Sequence, residues 1–164
     1  MRLFVAICFD GDAAEKFIKI QKDLLKMGKG RSTAKEALHL TLAFLGEIPD
    51  DLIPAVRDAL RSVYMQPMSL KIARVGTFSE SKGLWWAGIE GNRYLNDLQG
   101  RIAAALDNAG IRFQKEKFSP HVTLVRDFGD MLTRPIEVGA SCSREAALSG
   151  KTGYPRVPRG SDDL

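Results

Sequence analysis

Two four-residue segments, His39-Leu40-Thr41-Leu42 and His121-Val122-Thr123-Leu124, repeat one alternation of polar and apolar side chains, and they hold the only two histidines of the chain. In an extended strand, side chains two residues apart leave the same face. Each segment therefore buries its aliphatic pair and presents an imidazole and a hydroxyl on the other side. The copies lie about half a chain length apart, which suggests a duplicated unit whose halves face each other across a cleft. A single histidine on a half-buried strand is ordinarily structural. When both histidines fall in the same pattern with the same expected orientation, a shared active site is the more economical account.

The rest of the chain alternates strands and helices. Leu3 to Phe9 reads as a buried strand. Asp12-Ala13-Ala14-Glu15 is a capping-box-like start for a helix carrying Phe17, Ile18, Gln21, Leu24 and Leu25 on one face and stopped by Gly28. Asp50 or Asp51 can cap a second helix to about Tyr64, with Pro54 in its first turn, where the missing amide proton has no intrahelical partner. Met68 to Val75 and Leu84 to Glu90 read as strands joined by a Gly- and Ser-containing loop. Asn92 starts a third helix with a core-facing stripe of Leu95, Leu98, Ile102, Ala105, Leu106 and Ala109, ended by Gly110. Ile136 to Ser141 is expected as a last strand. The absence of dinucleotide and P-loop glycine patterns disfavours a nucleoside-triphosphate fold.

At 164 residues the chain fits one domain, expected over 1–153. The Pro-, Gly- and charge-rich stretch 154–164 reads as a loosely ordered tail, and its Val157-Pro158-Arg159-Gly160-Ser161 looks like a protease-site remnant of cloning. No apolar run approaches the roughly 18 residues needed to span a bilayer, and a strand-like stretch stands where a leader would be. The expected location is the cytoplasm, the expected state a monomer without membrane attachment. Cys8 and Cys142 lack metal-ligand spacing and read as reduced structural thiols in strand interiors. The net charge of +4 is compatible with a polyanionic substrate. Basic residues gather at both histidine segments: Lys26, Lys29, Arg31 and Lys35 before the first, Arg112, Lys115, Lys117 and Arg126 around the second. Such groups are usually solvated loop faces, but their position beside both histidines favours phosphate.

The segments LHLTLAFLGE (38–47) and FSPHVTLVRD (118–127) resemble the 2H phosphoesterases, in particular the bacterial and archaeal RNA 2′,3′-cyclic phosphodiesterases, also known as LigT-type 2′-5′ RNA ligases. The resemblance runs over residues 1–128 in order: the opening strand Arg2–Ile7, the first motif, the strand Leu84–Ile89, an amphipathic helix and the second motif. Gly150-Lys151-Thr152-Gly153-Tyr154 is similar to the family's closing segment, whereas Cys142–Ala147 departs from it. The resemblance implies an α+β fold of two pseudo-symmetric antiparallel sheet lobes, helices outside, and a central cleft carrying the two H-x-T-L motifs. It also implies cleavage of RNA 2′,3′-cyclic ends to 2′-phosphomonoesters, with His39 as proton donor and His121 as proton acceptor.

Two imidazoles suit that reaction without a metal or cofactor, because one can be neutral while the other is protonated near neutral pH. Thr41 and Thr123 can donate to the nonbridging phosphate oxygens. Microscopic reversibility would let the same pair join a cyclic end to a 5′-hydroxyl. Strict alternation puts Arg126 on the face away from His121, yet the resembling enzymes use an arginine there at the substrate; a bulge or strand end would reconcile the two. Phe44, Trp85 and Trp86 can stack on a base, although strand aromatics are more often core. The alternatives are a related enzyme acting on another small cyclic or 2′-5′ linked nucleotide, and a noncatalytic RNA-end or nucleotide-binding module.

Overall fold

In the computed structural model, which describes residues 1–9, 11–78 and 83–129, both histidine segments open strands: β3 (His39–Glu47) and β6 (His121–Gly129). Their inner faces are dry, with Leu40, Leu42, Val122 and Leu124 buried. His39, Thr41, His121 and Thr123 alternate with them and are half-buried. Around these lie β1 (Arg2–Cys8), α1 (Gly11–Met27), β2 (Lys29–Ser32), a 3₁₀ turn at Lys35–Ala37, a second 3₁₀ turn at Asp50–Leu52 leading into α2 (Ile53–Arg61), β4 (Ile72–Thr77), β5 (Trp85–Ile89) and α3 (Arg93–Asn108).

All strand pairs are antiparallel, in the order β1-β3-β6-β5-β4, with β2 also paired to β6. β3 and β6 share a single register pair, Leu40 opposite Val122. The expected two lobes are thus β1-β3 and β2-β6-β5-β4, and they form one six-stranded sheet with a seam rather than two separate sheets. Behind the seam, α3 packs on β3 and α1 on β6, so each histidine strand has its own helix on the buried side.

The helices follow from local chemistry. α1 buries Ala14, Phe17, Gln21 and Leu24, and α3 buries Leu95, Leu98, Ile102 and Leu106. The Asn92 side chain caps α3 by accepting from the Leu95 amide at 2.8 Å, and Gly110 leaves it at φ +69°, a conformation that costs glycine nothing. α2 differs from expectation. Asp50 and Asp51 sit in the 3₁₀ turn, the cap position falls on Leu52 without a side-chain bond, and the helix ends at Arg61. Pro54 in the first turn fixes that start by its own ring geometry.

Two strands also differ from the sequence reading. β4 begins at Ile72 rather than Met68, because the five residues of β5 offer partners only from Ile72 opposite Ile89 to Thr77 opposite Trp85. β2 was not expected at all: Lys29-Gly30-Arg31-Ser32 has no apolar alternation. It forms because β6 extends beyond the seam and leaves an edge to fill. A Cβ on Gly30 would lie 2.6 Å from Val125 Cγ1, so only glycine lets the backbone come this near. Cys8, expected in a strand interior, ends β1 and is exposed. No helix among the described residues is long and apolar enough to cross a membrane. The expected last strand Ile136–Ser141, Cys142, the closing segment and the tail lie outside the described residues.

Candidate active site

With Leu40 opposite Val122 in antiparallel strands, the next positions on either side bring His39 alongside Thr123 and Thr41 alongside His121. All four side chains leave the sheet opposite the buried aliphatics. A local twofold therefore relates the two motifs, and each imidazole is matched with the threonine of the other strand.

Both rings are held the same way. His39 Nδ1 lies 2.7 Å from the Ala37 carbonyl, and His121 Nδ1 lies 2.8 Å from the Ser119 carbonyl, each two residues upstream. A carbonyl only accepts, so each Nδ1 carries a proton and donates it. That fixes the tautomer and leaves Nε2 to meet a ligand: a lone pair on the neutral ring, an N–H on the charged one. The 3₁₀ turn that supplies the Ala37 carbonyl is tied to α1 by an ion pair of Lys35 with Glu15. Lys35's hydrogen bond and charge hold the Glu15 carboxyl below its ordinary pKa, and Glu15 raises that of Lys35 in return.

The surroundings of the two rings differ. His39 stacks on Phe4, with centroids 4.8 Å apart and planes at 28°. His121 meets Phe78 and Trp86 edge-on, at 4.9 and 6.4 Å. The Trp86 indole lies against two glycines, Gly76 opposite it on β4 and Gly88 two residues on along β5; a Cβ on Gly88 would come within 2.9 Å of it and one on Gly76 within 3.1 Å. Trp85 points the other way, buried against Phe128, and is removed from the stacking candidates. Phe44 lies under the Arg2 guanidinium, 5.1 Å from its ring centre.

Arg126 is exposed, and the register explains how it escapes strict alternation. Trp86 pairs with Thr123 but Trp85 pairs with Val125, so β6 holds one extra residue there. Leu124 and Val125 are consequently both buried, and Arg126 emerges on the side of His121 and Thr123. A second irregularity follows at Asp127, whose φ is +53°, and it returns Phe128 to the core. The Leu124 carbonyl at the bulge accepts from the Thr33 amide at 2.8 Å and from buried Gln21 Nε2 at 2.9 Å.

Ion pairing separates the basic residues flanking the motifs. Lys26 pairs with Asp23, Arg31 with Asp127, Lys35 with Glu15 and Lys115 with Asp107, so these four are spent on neighbouring carboxylates. Among the described residues Lys29, Arg112, Lys117 and Arg126 make no ion pair within 4.0 Å. No three His, Cys, Asp or Glu side chains among the described residues are grouped to hold a metal. The sequence reading passed over Phe4 and Phe78, whose nearness to the histidines depends on cross-strand register and loop path, and it placed Gln21 only on a helix face.

The family model of the 2′-5′ RNA ligase superfamily matches residues 11–131. An RNA 2′,3′-cyclic phosphodiesterase of Archaeoglobus fulgidus is 32% identical over 128 residues, covering 77% of this chain and 72% of that protein. One of Thermotoga maritima is 33% identical over 131 residues, covering 77% and 70%. The crystal structure of E. coli LigT in apo form superposes with a TM-score of 0.68 at 30% identity over 84% of this chain and 78% of the other; LigT complexed with 3′-AMP gives 0.66 at 27%, over 84% and 78%. The matched stretch takes in both histidine strands, the seam between them and the helices that back each one, and on that ground the chain belongs to the 2′-5′ RNA ligase superfamily.

Proposed function

We propose that this protein hydrolyses RNA 2′,3′-cyclic phosphodiester ends by paired-histidine acid-base catalysis. The observation that carries the reading is the symmetric pair of imidazoles on adjoining strands, each with Nδ1 tied to a carbonyl and Nε2 left free. The names of the Archaeoglobus and Thermotoga relatives support the substrate class.

A cyclic phosphate seated between the rings meets a base on one side and an acid on the other. His121 Nε2 takes a proton from water as its oxygen bonds to phosphorus. The bond from phosphorus to the ribose 3′-oxygen breaks in line, and His39 Nε2–H protonates that oxygen. The product is a 2′-phosphomonoester with a free 3′-hydroxyl. Thr41 and Thr123 donate to the nonbridging oxygens, where charge accumulates as the fifth bond forms. Arg126 binds the nucleotide with its planar fork of donors. With a 5′-hydroxyl in place of water, the same forward steps form a 2′-5′ linkage: the hydroxyl oxygen bonds to phosphorus, the 3′-oxygen leaves and is protonated. The reading includes a monomer in the cytoplasm, built as one unit over 1–153.

The test is incubation with a 2′,3′-cyclic mononucleotide and with an RNA bearing a cyclic end, followed by ³¹P NMR. Conversion to 2′-phosphate is expected. A 3′-phosphate product would reverse the leaving group, and no conversion of either compound would remove the hydrolase reading.

A further inference from the structure

Beside His121 a groove of about 460 Å³ opens between β4, β5 and the segment that leads into β6. Arg74, Trp86, Lys117, Phe118, Ser119 and Pro120 line it. It adjoins the catalytic ring directly, since Ser119 supplies the carbonyl that holds His121 Nδ1. Arg74 is opposite Gly88, and Gly88 is opposite His121, which puts the arginine two strand spacings, roughly 10 Å, from the histidine. The absence of a side chain on Gly88 lets the Arg74 stem cross it; a Cβ there would stand 3.3 Å from Arg74 Cγ. The guanidinium comes to rest over Trp86, 5.4 Å from the ring centre.

Stacking orients this guanidinium without occupying its N–H groups. Among the described residues neither Arg74 nor Lys117 makes an ion pair within 4.0 Å, and none lining the groove is a carboxylate. Two cations without an ion-pair partner among the described residues, sharing one groove with the apolar surface of Phe118, form a receptor for a phosphate attached to something flat. An RNA with a 2′,3′-cyclic end has one such group at this remove: the phosphate on the 5′-oxygen of its terminal nucleoside.

We infer that this groove binds that 5′-phosphate through Arg74 and Lys117, so that the enzyme favours cyclic ends carrying a 5′-phosphoryl group, as in an oligonucleotide, over bare cyclic mononucleotides. The inference rests on the cyclic phosphodiesterase reading. It goes beyond it by assigning two residues that discriminate chain ends from free nucleotides while leaving the bond-breaking step alone.

The experiment compares adenosine 2′,3′-cyclic phosphate with its 5′-phosphorylated form on wild-type protein, Arg74→Gln and Lys117→Gln. The wild type should show kcat/KM higher for the 5′-phosphorylated compound by about tenfold, the scale of one charge-assisted hydrogen bond, and the advantage should shrink as salt rises. Each variant should lose most of that advantage while turning over the bare cyclic nucleotide at the wild-type rate, a result that also certifies its fold. Equal kcat/KM for the two compounds on the wild type, or an advantage that survives in both variants, would overturn the groove assignment alone. A wild-type protein that turns over neither compound would overturn the phosphodiesterase reading and the groove's occupant with it.

Discussion

The side-chain amide of Gln21, buried in α1, donates at 2.9 Å to the carbonyl of Leu124, a residue 103 positions away in sequence. It donates at 2.8 Å to the Thr33 carbonyl as well. Leu124 is where β6 bulges, and the bulge brings Arg126 to the histidine face. A buried polar residue on the dry side of the sheet is thereby linked to the placement of Arg126 on the wet side.

Gln21→Met keeps the length of the side chain and removes both donors. It should lower stability by about 1–3 kcal/mol in urea denaturation, because the buried Leu124 carbonyl and the partly buried Thr33 carbonyl each lose a partner. KM for a cyclic-ended substrate should rise more than kcat falls, since the bulge aims a binding residue. An unchanged KM in a destabilised protein would separate Gln21 from Arg126.

His39→Ala and His121→Ala should each reduce turnover by about 10²- to 10⁴-fold, with circular dichroism unchanged because both rings lie outside the core. Thr41→Ala and Thr123→Ala should cost less. Near-native turnover in either histidine variant would end the two-histidine mechanism.

The pH dependence carries a sign for each ring. Rate rises with pH as the base loses its proton and falls as the acid loses its own, so kcat/KM should be bell-shaped. Residual activity of His121→Ala should lack the rising limb, and that of His39→Ala the falling limb. The opposite assignment of limbs would exchange acid and base.

Gly88→Ala tests the slot that seats Trp86 beside His121. The added methyl would stand 2.9 Å from the indole and 3.3 Å from Arg74 Cγ, an overpacking expected to cost about 1–3 kcal/mol in thermal or urea unfolding and to depress turnover through displacement of the His121 neighbour. Gly91→Ala, with nothing within 4 Å of its Cβ, is the control and should leave both unchanged.

Activity should survive exhaustive dialysis against EDTA, since the two imidazoles supply both proton transfers. A loss restored by Mg²⁺, Mn²⁺ or Zn²⁺ would place the reaction in the metal-assisted class.

Period-2 alternation at the histidine motifs was enough to locate β3 and β6 and to say which side chains each would bury, since that pattern is a property of a strand and needs no partner. α3 was equally legible, because Asn92, the Leu/Ile stripe and Gly110 each act within a few residues. β2 was not, for its reason lies in the edge of β6, far away in sequence. The same holds around the histidines: the pairing of His39 and His121 is visible in their motifs, whereas Phe4, Phe78 and Arg74 gain meaning only once register puts them beside a particular neighbour. Arg126 stood between, its departure from alternation foreseeable and its cause, one extra residue in β6, visible only in the pairing with β5.

Because β3 and β6 share one residue pair, no ladder of hydrogen bonds sets the aperture between the imidazoles. Behind that pair lie the side chains of Leu40 and Val122, both fully buried, and the helices α3 and α1. The spacing of the two histidine strands thus rests on packing behind the sheet as well as on the polar face. Exchanging one aliphatic side chain for another at Leu40 or Val122 should therefore move the two imidazoles relative to each other without replacing either.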